Sequence, residues 1–127
     1  MISIDELIAD VPYYRYLGLR AGEAGTVVLP GTERHIGDHE RAMLHGGVLA
    51  AFLEAAAVLH LRANGAAGAS TIACATDFLR AAPVTDTFAS VTVLRIGRRV
   101  AHLRVEAHQG DAARLVAVAY GSWLVGA

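Results

Sequence analysis

The chain has 127 residues, 54% of them hydrophobic and 18% charged, with 11 basic against 12 acidic side chains and a net charge of −1. That length allows one domain with a sizeable core, one that buries about two thirds of the surface its unfolded chain exposes. So little polar material cannot cover a small free-standing monomer on every face, which points to buried contacts between subunits.

The basic residues are scattered rather than gathered into a stripe, so no nucleic-acid backbone is expected as a partner. Cys74 is the only cysteine, which excludes an intrachain disulfide and leaves no thiol cluster for structural zinc. A reducing cytoplasm fits. Residues 1–10 carry Asp5, Glu6 and Asp10 where a secretion signal would need basic residues. The most apolar stretch, residues 48–61, is broken by Glu54 and His60 and reads as too short and too polar to span a bilayer.

From the N-terminus, Ser3 and Glu6 form a capping box before a short helix that Val11-Pro12 should end, and Tyr13, Tyr14 and Tyr16 then read as a packed aromatic segment. Residues 17–24 and 26–30, separated by Gly25, are expected as two short strands joined by a tight turn. Residues 31–44 have no period and read as a long loop, which in a compact domain is usually functional. Residues 47–62 are the clearest helix: strong helix formers on all sides, no internal Gly or Pro, and Asn64-Gly65 as the stop. A helix apolar all round should be buried.

Beyond Gly68 four β-rich runs follow, 70–80, 87–96, 99–108 and 114–125, bounded by Ala82-Pro83, Gly97-Arg98 and Gly110-Asp111. In the third, Ala101, Leu103, Val105 and Ala107 alternate with His102, Arg104, Glu106 and His108, the mark of a half-buried strand. The fourth is apolar on both faces, as in a sheet covered on both sides. The expected class is α+β: one long central helix wrapped by an antiparallel sheet, with residues 1–127 as a single domain.

Glu54 is the one charged side chain between Val48 and Leu59. Burying an unpaired carboxylate costs several kcal/mol or neutralises it, and such an environment suits a general base or nucleophile. The plain alternative is a carboxylate that reaches solvent or a structural partner. His45-Gly46-Gly47 stands where loop becomes helix, and a helix start presents free N–H groups and a positive dipole end, the setting for an oxyanion. Two glycines let a carbonyl approach the backbone, although a helix start that needs an unusual backbone angle would also explain them. From Gly46 to Glu54 is eight residues, about 12 Å along a helix, too far for both to act on one carbonyl carbon. Two such helices antiparallel about a two-fold axis would bring one Glu54 to the other Gly46 and give two sites per dimer.

Tyr16-Leu17-Gly18-Leu19, His45-Gly46-Gly47-Val48-Leu49, Asp77-Phe78-Leu79-Arg80 and Gly97-Arg98-Arg99 together resemble the hotdog-fold thioesterases, in particular the PaaI-like family and the related 4-hydroxybenzoyl-CoA thioesterases. The resemblance runs nearly end to end, and its most specific part is the His-Gly-Gly with an acid nine residues after the His. It implies a hotdog fold with a curved sheet, hydrolysis of a small acyl- or aryl-CoA, a homodimer or homotetramer, and no cofactor or metal beyond the coenzyme A of the substrate. It implies that Glu54 is the catalytic acid, as base or nucleophile. Gly46 would polarise the thioester carbonyl through its N–H, with His45 shaping the site. Thr71 matches a residue near the attacking water, and Gly47, Arg80, Arg98 and Arg99 would meet the substrate, the arginines at its phosphates. Each arginine taken singly also reads as a solvated edge residue.

Two departures stand out. Six residues before His45, where relatives carry Asn or Gln, this chain has His39, and Ala42 stands where many have Gly. The acyl end of the pocket is therefore expected to differ, with His39 either polarising the substrate or solvated in its loop; His35 receives no role. A hotdog hydratase or dehydratase using His39 and Glu54, or a non-catalytic acyl-CoA binder, are the competing readings.

Overall fold

The computed structural model describes residues 2–126, so the two ends of the 1–127 reading, Met1 and Ala127, lie outside the described residues. Helix α1 spans Ile4–Ala9, and the Ser3 hydroxyl oxygen caps it by accepting the Glu6 N–H at 3.1 Å. Pro12 does more than end that helix. It opens a second one, α2 (Pro12–Leu17), because proline suits the first helical turn, where its missing N–H costs nothing. Tyr13 and Tyr16 are therefore not packed as expected: they lie exposed on α2, stacked on one another, and only Tyr14 turns toward the core.

The residues expected as two strands of five and eight residues supply only β1 (Arg20–Ala21) and β2 (Val27–Leu29), joined through a 3-10 turn at Glu23–Gly25. Residues 31–44 are not a plain loop either. They hold a 3-10 turn at Glu33–His35 and a small hairpin, β3 (Ile36–Asp38) with β4 (Met43–Leu44), separate from the main sheet.

Helix α3 runs from Gly46 to Ala63, 18 residues, one longer at each end than the sequence pattern gives. By length and composition it could cross a membrane, contrary to the reading of residues 48–61 as too short and too polar. Here it is the core helix. Phe52, Leu53, Ala55, Ala56, Ala57, Val58, Leu59 and Leu61 are buried against the sheet and α1, and each buried Leu or Phe contributes roughly 1.5–3 kcal/mol.

The main sheet has the order β1-β2-β6-β7-β8-β5, every pair antiparallel, with β5 at Ser70–Phe78, β6 at Thr87–Ile96, β7 at Val100–His108 and β8 at Leu115–Leu124. The period-two pattern of β7 holds: Ala101, Leu103, Val105 and Ala107 are all buried, facing α3. Opposite them on β8 stand Trp123, Gly121, Ala119 and Ala117. Gly121 leaves room for the fully buried Trp123, whose ring would lie 2.8 Å from a Cβ there. The outer face of β8 is not covered throughout, since Tyr120 and Leu124 are exposed. β2 pairs with β6 only over Thr87–Ala89, and β6 carries a register shift between Val93 and Arg95.

Candidate active site

His45 stops the chain just before α3 with an extended backbone, and its ring turns back so that the Gly47 N–H donates to Nδ1 at 2.9 Å. With Nδ1 as acceptor, the neutral ring carries its proton on Nε2. The Val48 and Leu49 amides donate to the His45 carbonyl. The Gly46 amide makes no hydrogen bond among the described residues, which leaves it as the free donor at the positive end of α3. Gly47, expected to meet substrate through its backbone, has its N–H occupied by His45 instead.

Neither glycine has the positive φ that would explain the pair. The reason at Gly47 is steric, because a Cβ would sit 2.9 Å from His45 Cε1. At Gly46 a Cβ would lie 3.5 Å from the ring of Phe78, an ordinary contact, so this amide lies beside the end of β5. Gly37 on β3 backs the arrangement; a Cβ there would meet His45 Cα at 2.8 Å.

Glu54 is not buried as the apolar helix implies. In the single chain its side chain is exposed, on a stripe of α3 with Gly47 and Ala51 that the sheet leaves open. Its charge reaches Cys74 on β5 and Tyr14 on α2. Burial pushes the Cys74 thiol up, and the Glu54 charge adds to that shift. Burial likewise raises the Tyr14 hydroxyl, against Arg62 and with Glu54. Cavities of about 300, 460 and 660 Å³ on the chain are lined by other segments and border neither Gly46 nor Glu54.

The remaining expected residues are dispersed. Thr71 lies at the start of β5, three residues from Cys74 and so roughly 10 Å from it along the strand. Its hydroxyl is buried without a hydrogen-bond partner among the described residues. His39 is exposed at the tip of the β3–β4 hairpin, where Asp38 accepts the Glu40 and Arg41 amides; the hairpin places Gly37, not His39, against His45. Ala42 has φ +53, a conformation that favours glycine. Arg80 follows β5 at the Gly46 end, whereas Arg98 and Arg99 form the β6–β7 turn at the opposite end of the sheet, beyond the Val100–Leu124 pair. All three are exposed.

Residues 36–124 match the family of the acyl-CoA thioesterase N-terminal domain. No curated protein matches the chain. Among solved structures, a thioesterase-superfamily protein is 26% identical with a TM-score of 0.85, covering 96% of this chain and 95% of its own. A variant of the phenylacetic acid degradation protein PaaI from Thermus thermophilus is also 26% identical, with a TM-score of 0.75 and coverage of 90% and 98%. PaaI from E. coli, at 20% identity, TM-score 0.82 and coverage of 97% and 90%, shares the fold. The long helix, the six-stranded antiparallel sheet and this match agree on the hotdog architecture: the chain belongs to the acyl-CoA thioesterase family, and with it to the thioester hydrolases.

Proposed function

We propose that the protein hydrolyses a small acyl- or aryl-coenzyme A thioester in a site shared between two copies of the chain. The observation that carries this is the pairing of a free Gly46 amide with an exposed Glu54 on one open face of α3, two groups too far apart to meet on one substrate within a chain.

A second copy has a place to sit. β5 is an edge strand of nine residues. Leu79 donates its N–H to Val116 of β8, so by alternation the N–H and C=O groups of Cys74, Thr76 and Phe78 point away from the sheet. Ile72, Phe78 and Leu79 lie exposed along the same edge. An open apolar edge of that length is what native proteins pair or cover. Two copies joined antiparallel along β5 would turn the Thr71 and Arg98-Arg99 end of one toward the Gly46 and Arg80 end of the other, and run their α3 helices antiparallel. That would reunite residues dispersed in the single chain.

In this reading the thioester oxygen accepts the Gly46 N–H, and His45, Gly47 and the start of α3 hold that donor in place. Glu54 of the other copy takes a proton from water as its oxygen attacks the carbonyl carbon. The tetrahedral intermediate then expels the thiolate, which leaves as the coenzyme A thiol after protonation. Direct attack by the Glu54 carboxylate would give an anhydride that water opens to the same products. Arg80, Arg98 and Arg99 would meet the coenzyme phosphates; no metal or further cofactor takes part, and the cytoplasm is the proposed compartment. His39 is exposed at the hairpin tip and it is Gly37, not His39, that lies against His45, so no observation favours the hydratase reading over hydrolysis.

Replacing Glu54 by Gln keeps the shape and removes the base, and should lower kcat by on the order of a hundredfold or more. Free-thiol release from a panel of acyl and aryl coenzyme A thioesters measures this, and an undiminished rate in E54Q would remove Glu54 from the mechanism.

A further inference from the structure

We propose that His35 is a positioning residue for the oxyanion-binding amide, fixing the start of α3 through His45. The proposal rests on the thioesterase reading of Gly46 above.

His35 is fully buried in the turn before β3. Its ring Nε2 lies 2.8 Å from the carbonyl of Leu17, the last residue of α2, and a carbonyl only accepts, so Nε2 carries the proton. Its own carbonyl accepts the His45 N–H, also at 2.8 Å. Two residues on, Gly37 lies against His45 Cα. A continuous chain therefore runs from the end of α2 through the His35 ring and backbone to His45, which in turn holds Gly47 and leaves the Gly46 N–H free.

The ring is held from one side only. Among the described residues Nδ1 is buried with no partner, and the Leu17 bond is the ring's one polar anchor. Packing alone would be served better by an apolar side chain of similar volume, since a buried nitrogen without a partner is destabilising. What the imidazole adds is a directed bond that sets the height of the hairpin relative to α2. Precision matters at this point, because a donor misplaced by about 1 Å from the forming oxyanion costs on the order of a hundredfold in rate.

The test compares His35→Leu, which fills the space without the bond, with His35→Gln, whose side-chain amide reaches the same carbonyl. His35→Asn, too short to reach it, repeats the comparison in a polar background should the leucine variant fail to fold. We expect kcat to fall about tenfold or more in His35→Leu or His35→Asn with KM within twofold, and to recover in His35→Gln. A second readout does not depend on turnover: the Gly46 amide resonance should shift in His35→Leu and return in His35→Gln. An unmoved resonance with unchanged kcat, or a loss that His35→Gln does not rescue, overturns the positioning role. A shifted and rescued resonance in a parent protein that releases no thiol would instead sink the thioesterase reading and leave the link between His35 and Gly46 standing.

Discussion

Exchanging each of the two adjacent glycines for alanine should act in opposite directions on stability. In Gly47→Ala the new Cβ would stand 2.9 Å from His45 Cε1 and 3.0 Å from Nδ1, closer than carbon atoms tolerate, so the ring must swing away. That breaks the 2.9 Å bond from the Gly47 amide, the side-chain cap of α3. Loss of an N-terminal cap costs about 1 kcal/mol, within a range of roughly 0.5–2. Offsetting it, alanine is about 0.5–1 kcal/mol better than glycine inside a helix, less so in the first turn. Adding about 0.5–1.5 kcal/mol for a ring forced off its rotamer beside Gly37, the net should be a destabilisation of about 0.5–2 kcal/mol, or roughly 2–8 °C in Tm for a chain of this size. In Gly46→Ala the Cβ meets only Phe78 at 3.5 Å, so stability should hold or rise slightly. Turnover should fall there, because the methyl narrows the approach to the free amide. Thermal and urea melts followed by circular dichroism, with thiol-release assays on the same samples, separate the two. A Gly47→Ala protein as stable as the parent would refute the capping argument, and a fully active Gly46→Ala would refute the assignment of the oxyanion donor.

Three further expectations concern other parts of the chain. Thr76→Pro removes an N–H that points out of the sheet while sparing the bonds to β8, so secondary structure should persist as sedimentation shows a smaller species and turnover is lost; an unchanged oligomer would rule out pairing along β5. Ala42→Gly relieves a left-handed residue that costs about 1–2 kcal/mol, against roughly 0.5–1 kcal/mol of added chain entropy, and should raise the urea midpoint slightly. Asp86 accepts the Gly31 amide at 3.0 Å and pairs with Arg20 at 3.1 Å, and these hold its carboxyl below the ordinary range. A group with a depressed folded pKa contributes fully above its unfolded pKa of about 4 and loses that contribution as pH falls through the folded value. Asp86→Asn should therefore be less stable than the parent at pH 7, with the gap closing below about pH 4 in denaturation curves.

Where periodicity is long enough to repeat, sequence and structure agree. β7 alternates over nine residues and α3, eighteen residues long, has no Gly or Pro after its opening Gly46-Gly47 pair, so both were legible to within a residue or two. β3 and β4 hold three and two residues, less than two full periods, so nothing distinguishes them from a loop. Pro12 was readable as a stop but equally as a start, and α2 follows from the second. Of the site, His45, Gly46 and Glu54 could be singled out because each breaks its local pattern. The exposure of Glu54 could not, since an apolar helix face looks the same in sequence whether its own sheet or another chain covers it. Nor could the setting of His35, a lone histidine in an aperiodic segment whose two partners lie 18 and 10 residues away. Its only signal would have been geometric.

The far border of the sheet has a consequence for colloidal behaviour. β6 parts from β2 after Ala89, so Val91 to Ile96 present a second unpaired margin, with Val93, Leu94 and Ile96 exposed. A ribbon open on both sides would add copies without end and grow into fibres. The irregularity between Val93 and Arg95 throws that margin out of step, and the charge of Arg95 lies within it, so a newcomer finds no straight row of groups to match. In the proposed pairing, growth would thereby be confined to one side, and an assembly joined along β5 would close at a finite size.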